Sequence, residues 1–149
     1  GKVLRIEGNE IGTVTGRDRR CGWFDAVLVR QAIQLSSVKE VALTKLDVLD
    51  QFDEIRVCTA YELDGATVQE LPASIHAWER LRPVYKTLPG WKSPTFGITR
   101  FADLPAAASS YMDYLERELS IEISIVSTGP EREQSIVRPG TRLEKLLPR

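Results

Sequence analysis

Val41-Ala42-Leu43-Thr44-Lys45-Leu46-Asp47 is the stretch whose reading decides the fold. Its first three residues are consecutive and apolar, which reads as a short buried strand. The polar group at 44–47 then falls at the strand's C-terminal end. In open α/β sheets that edge is where ligands bind. Residues 121–126 read as another sheet segment, followed at once by Ser127-Thr128-Gly129-Pro130. Two polar motifs after two strands predict one shared binding edge. Between them, residues 55–63 read as a strand, Asp64-Gly65 is a hairpin signal, and residues 66–71 would return antiparallel.

Working outward, Phe24, Val27, Leu28, Ala32 and Leu35 recur at helical spacing and predict about three turns ending near Ser36-Ser37. A second helix is expected from Asp103, as N-cap, with Pro105 in its first turn. Tyr111, Leu115 and Leu119 carry it to about residue 119. Residues 1–22 are polar and glycine-bearing and read as a loop. Residues 72–102 hold Pro, Gly and Trp without a clear period, which predicts irregular structure with one or two short helical turns. The basic, proline-bearing tail after Val137 is expected to fray. The fold class is therefore α/β, a mostly parallel sheet flanked by helices. The functional unit is residues 1–138, with 139–149 as tail.

Composition narrows the function classes. A chain of 149 residues has the size of one domain. Its net charge of −1 gives no reason to expect nucleic acid or an anionic membrane as a partner. No apolar stretch is long enough to span a bilayer, and no secretory signal opens the sequence. Cys21 and Cys58 show no CxxC pairing and read as reduced thiols of a cytosolic protein.

Three motifs carry chemistry. Thr13-Val14-Thr15-Gly16-Arg17-Asp18-Arg19-Arg20-Cys21-Gly22-Trp23 sets cationic forks beside a glycine. Guanidinium groups hold carboxylates and phosphates with paired N–H donors, which Lys does not reproduce. Taken alone, such a loop reads as solvated surface. In Lys45-Leu46-Asp47, a carboxylate could accept both N1–H and the N2 amino group of guanine, while a Lys stem lies along the base face. Adenine offers no such donor pair. A bare K-x-D also fits a strand-end salt bridge. Ser127-Thr128-Gly129-Pro130 is a small-residue turn where backbone can approach a ligand closely. His76, the only histidine, has no evident partner and reads as surface or packing. Trp23, Trp78 and Trp91 read as packing residues, and Asp50, Asp53 and Glu54 as surface or cap residues.

With the linking stretches Val48-Leu49-Asp50 and Leu88-Pro89-Gly90-Trp91, these motifs resemble, in order and spacing, the C-terminal part of adenylosuccinate synthetase. That family joins aspartate to IMP using GTP. The resemblance runs from about residue 8 to about residue 134. It implies the C-terminal portion of the enzyme's sheet, with a β-hairpin and an irregular Pro/Gly/Trp-rich segment. It implies that Thr13, Val14, Thr15, Gly16, Arg17, Asp18 and Arg19 form a mobile loop that closes on aspartate. Arg17 would also reach the IMP ribose, and Arg19 the GTP side. Lys45, Leu46, Asp47, Ser127, Thr128 and Gly129 would bind GTP. Val14 stands where the family commonly has Thr, and Asp18 where it commonly has Pro or Arg.

No catalytic residue and no metal ligand is expected in this chain. The family's glycine-rich phosphate loop, catalytic Asp and His, Mg²⁺ site and IMP phosphate contacts belong to an N-terminal part absent here, as does the arginine donated across a homodimer interface. The family mechanism phosphorylates the IMP 6-oxygen, and aspartate then displaces the phosphate in de novo AMP synthesis. Two rival readings stay open: a stand-alone, non-catalytic guanine-nucleotide-binding module, and a purely structural or interaction domain.

Overall fold

The strand at residues 41–43 forms, with Val41 and Leu43 half-buried and Ala42 exposed rather than buried throughout, and its partner sets the site. In the computed structural model, which describes residues 1–148, β2 (Glu40–Leu43) pairs in parallel with β6 (Glu122–Ser127). Leu43 lies opposite Val126, so both strands end at one edge. The two strand ends read from the sequence as sharing one edge therefore do so. β7 (Ser135–Val137) pairs antiparallel with β6 and completes this three-stranded sheet. A second sheet is organised by β3 (Glu54–Leu63). It pairs parallel with β1 (Phe24–Asp25) and antiparallel with both β4 (Ala66–Val68) and β5 (Arg82–Pro89). The α/β class holds, with sheets flanked by helices. The pairing is mixed rather than mostly parallel: among the described residues two ladders are parallel and three antiparallel.

Two helices seal the core. α2 (Ala26–Ser36) begins where Asp25 Oδ1 accepts a hydrogen bond from the Leu28 amide, and it ends at Ser37 in the left-handed region. Phe24, grouped with this helix from its spacing, belongs instead to β1. The face turned inward carries Ala26 and Val27, with Val29 and Ile33 half-buried. Leu28, Ala32 and Leu35, expected on the apolar face, are exposed. α4 (Ala106–Leu119) buries Ala108, Tyr111, Met112, Leu115 and Leu119 at intervals of three and four. These meet Ile55, Val57, Ile123 and Val126 from the two sheets. Each large apolar side chain taken from water here contributes about 1.5–3 kcal/mol.

Several local expectations change. The stretch read as loop at 1–22 opens with α1 (Lys2–Glu7), a helix with one buried anchor, Leu4, too short to leave a periodic signal. Residues 72–102 contain α3 (Ile75–Trp78), which is the expected short helical turn, but also the eight-residue β5. That strand was hidden because it is exposed at nearly every position, so no alternation marks it. Pro83 and Pro89 are tolerated because β5 pairs only with β3 and forms an edge. Asp103 does not cap α4. It lies in a 3₁₀ turn, Phe101–Asp103, and pairs with Arg100, while Pro105 occupies the cap position without a side-chain bond. The tail expected to fray carries α5 (Arg142–Leu146), capped by buried Thr141. Arg138 leads into it, paired with Asp113 and Glu116 of α4. Cys21 and Cys58 are free thiols.

Asp50, read as a surface or cap residue, caps the 3₁₀ turn Leu46–Leu49 and ties the site to this frame. Its Oδ1 accepts from Trp91 Nε1 and Thr95 Oγ1, both at 2.7 Å, and its Oδ2 accepts from the Thr95 amide at 2.6 Å. Thr95 is fully buried, so losing the acceptor strands an amide and a hydroxyl away from water. Asp50→Ala should destabilise the fold by about 2–4 kcal/mol, given the strength of hydrogen bonds to charged groups and the cost of unmet buried donors. A melting temperature unchanged from wild type would contradict this.

Candidate functional site

The edge shared by β2 and β6 becomes a site through the turns that leave it. After Leu43 the backbone reverses at Lys45, whose φ of 60° is left-handed, and enters a 3₁₀ turn, Leu46–Leu49. The turn sends adjacent side chains in opposite directions. Leu46 is 1% exposed and drops into the core, anchoring the turn. Asp47 faces the neighbouring cavity, and its Oδ1 is buried with no hydrogen-bond partner. Burial, with the nearby charge of Asp50 adding to it, pushes the Asp47 carboxyl up from the ordinary Asp value, against the lowering effect of backbone N–H groups and of Lys45. An unsatisfied buried carboxylate oxygen is costly unless a ligand supplies the donor.

Across the edge, the turn after β6 is held internally. Thr128 is fully buried, and its Oγ1 donates to Ile98 O at 2.7 Å. Its amide donates to Gln134 O, and its carbonyl accepts from the Gly97 amide. Its side chain, amide and carbonyl are thus spent on shaping the turn. Ser127 Oγ donates to Gly129 O at 2.8 Å. Gly129 lets the Gln134 side-chain amide approach closely, and a Cβ there would make that amide move. Ser127, Gly129 and Pro130 face Lys45 and Asp47 across a cavity of about 580 Å³. The motifs at 45–47 and 127–130, some eighty residues apart in sequence, are brought together.

A second cavity of about 420 Å³ adjoins it, and Gly8, Thr44, Lys45 and Val48 line both. Its far wall includes Arg19 and Arg20, and its floor is apolar, with Trp23, Leu43 and Leu49. The tip residues Thr13, Val14, Thr15, Gly16 and Arg17 line neither cavity. They stand exposed, with Gly16 at a φ of 63° making the reversal.

The base of the loop is braced by backbone hydrogen bonds and ion pairs. Gly12 donates to Arg17 O at 2.8 Å and the Arg19 amide to Glu10 O at 3.0 Å, around a bridge between Ile11 and Asp18. Asp18, the acidic departure, is paired with Arg5 of α1, which turns its charge toward that helix. Glu10 accepts from Arg19 at 2.9 Å and also from Lys45. Those two cations hold its carboxyl below the ordinary Glu value. Arg17 and Arg20 make no ion pair among the described residues, so they remain the uncommitted cations of the motif.

This geometry has counterparts in known proteins. The family model for adenylosuccinate synthetase matches residues 1–136. The chain belongs to the adenylosuccinate synthetase family. The adenylosuccinate synthetase of Solibacter usitatus (strain Ellin6076) is 47% identical over 147 residues, which is 99% of this chain and 34% of that protein. Those of Ehrlichia ruminantium, strains Gardel and Welgevonden, are each 53% identical over 137 residues, 92% of this chain and 32% of theirs. A structure of fully ligated adenylosuccinate synthetase from Plasmodium falciparum superposes with a TM-score of 0.88 at 34% identity, covering 93% of this chain and 34% of that one. The chain therefore spans about a third of the length of these adenylosuccinate synthetases.

Among the described residues, no three His, Cys, Asp or Glu side chains group as metal ligands. No helix among the described residues is long and apolar enough to cross a membrane. Glu10 and Asp50 were missed as site-building residues. Each acts on partners at least 35 positions away, Arg19 excepted, and no local pattern announces such pairs.

Proposed function

We propose that this chain is the guanine- and aspartate-binding part of an adenylosuccinate synthetase. The intact protein would convert GTP, IMP and L-aspartate to adenylosuccinate, GDP and phosphate. The observation that carries this reading is the buried, unpartnered Asp47 oxygen in a cavity that fits a purine. Guanine N1–H and N2–H₂ present two donors on one edge, one of which would meet the Asp47 Oδ1 that has no partner. Lys45 lies beside the base with its ammonium anchored at Gly8 O, 2.7 Å away, and at Glu10. Ser127 and Gly129 close the opposite side. Leu46 and Thr128 contribute by holding the two turns in place.

Thr13, Val14, Thr15, Gly16, Arg17, Asp18 and Arg19 would form the aspartate loop, with Arg17 also reaching the IMP ribose. Their part is positioning, which brings reacting groups together without taking a proton or a phosphoryl group. The phosphoryl-transfer machinery, the Mg²⁺ site and the IMP phosphate contacts would lie in an N-terminal part. The working protein would be a cytosolic homodimer.

Phosphate contacts normally supply much of a nucleotide's binding energy through backbone N–H groups, helix N-termini and metal. The 149-residue chain alone should therefore bind guanine nucleotides no tighter than about 0.1–1 mM, or about 4–5.5 kcal/mol. It should form no adenylosuccinate from GTP, IMP, aspartate and Mg²⁺. The intact protein should do so. Turnover at an ordinary enzymatic rate by the chain alone would place catalytic groups within it and overturn this division of labour.

A further inference from the structure

We propose that Glu10 is a positioning residue that couples the guanine pocket to the aspartate loop, holding Lys45 on one carboxylate oxygen and Arg19 on the other. The inference rests on the functional reading above, in which Glu10 only anchors Lys45, and adds its simultaneous hold on Arg19. Glu10 Oε1 accepts from Lys45 Nζ, and Oε2 accepts from Arg19 at 2.9 Å. Among the described residues neither cation pairs with any other carboxylate. The Glu10 side chain is 19% exposed, against 49% for Lys45 and 58% for Arg19, so the shared anion is the least solvated of the three. Its backbone is fixed as well: its amide donates to Arg5 O at 2.9 Å, and its carbonyl accepts from the Arg19 amide.

One acceptor group shared by two cations makes their positions interdependent. Lys45 lines both cavities, and Arg19 lines the one beneath the loop. When an aspartate carboxylate draws the Arg19 guanidinium toward itself, Glu10 loses one partner and its full charge falls to Lys45. The lysine is then held more firmly at the edge of the base pocket. Guanine nucleotide should bind tighter with the aspartate site filled, and by linkage aspartate should bind tighter with the base pocket filled, by the same factor. Because the pairs are only partly buried, the coupling should be modest, about three- to tenfold.

The test uses the intact protein with IMP present, and a non-hydrolysable GTP analogue titrated with and without saturating L-aspartate. Wild type should show the three- to tenfold gain. Glu10→Gln keeps the size and removes the charge. Glu10→Asp keeps the charge but is too short to span both cations. In each the gain should fall below about twofold, while the melting temperature and the preference for guanine over the xanthine analogue stay at wild-type values. A residue that merely braced the fold would lower stability and leave the coupling factor alone. No gain in wild type, or a wild-type gain in both variants, overturns the proposal. The same titration separates the two readings. If wild type shows no preference for guanine, the functional assignment itself fails. If the preference holds and the coupling survives both Glu10 variants, only the role of Glu10 fails.

Discussion

In the intact protein, Asp47→Asn should cut GTP use by about ten- to a hundredfold, the equivalent of a lost charge-assisted pair worth about 1.5–3 kcal/mol. The substitution keeps size and shape. It replaces one of two acceptors with a donor, which opposes a guanine edge that presents only donors. Xanthosine triphosphate carries an oxygen at C2, so it should gain on GTP in the variant. The acid limb of the pH profile gives a second readout. Burial raises the Asp47 carboxyl in the ligand-free fold, so its charged form is a cost there, relieved as pH falls through the raised value. Guanine binding has the opposite sign, because it needs the carboxylate. The KM for GTP should therefore rise on acidification in wild type, beginning at higher pH than an ordinary Asp would cause, and the variant should lack that component. If Asp47→Asn keeps the full preference for GTP over the xanthine nucleotide, Asp47 does not read the base.

Arg17→Leu should damage aspartate use by a comparable factor, about ten- to a hundredfold in kcat/KM, with the KM for GTP changed less than about threefold. The asymmetry follows from the ion pairs. Arg19 is engaged by Glu10, and Asp18 by Arg5, but the Arg17 guanidinium pairs with no carboxylate among the described residues. Its backbone is held by Gly12 and approached by Thr15 Oγ1 at 3.4 Å, which presents the side chain on a closed stem. Leucine keeps comparable bulk and removes the paired N–H donors. Steady-state kinetics with aspartate and GTP varied in turn would decide it. Aspartate KM and kcat both near wild type would remove Arg17 from the aspartate site.

What could be read from sequence depended on burial. The runs at 55–63 and 121–126 became strands because each feeds the core, and burial imposes a pattern on residue choice, while the run at 41–43 packs only Val41 and Leu43 against it. The polar motifs at 45–47 and 127–130 could be placed at strand ends for the same reason. Parallel pairing of β2 with β6 then set them face to face. β5 was invisible because an exposed edge strand need not alternate, and α1 because a single anchor, Leu4, makes no period. The inward turn of Thr128 could not be read from a motif of small residues, since its partners, Ile98 and Gln134, come from separate segments. Nor could the restraint on the Arg loop. There Asp18 finds Arg5, and Glu10 collects Arg19 and Lys45.

The central claim is that guanine is read at the edge where β2 and β6 end. A crystal structure of the intact protein with GDP tests it most directly. The account predicts the base in the cavity between Lys45 and Ser127–Gly129, with both Asp47 oxygens within hydrogen-bond distance of N1 and N2. A guanine bound elsewhere, or in that cavity with its N1–N2 edge turned away from Asp47, would contradict it.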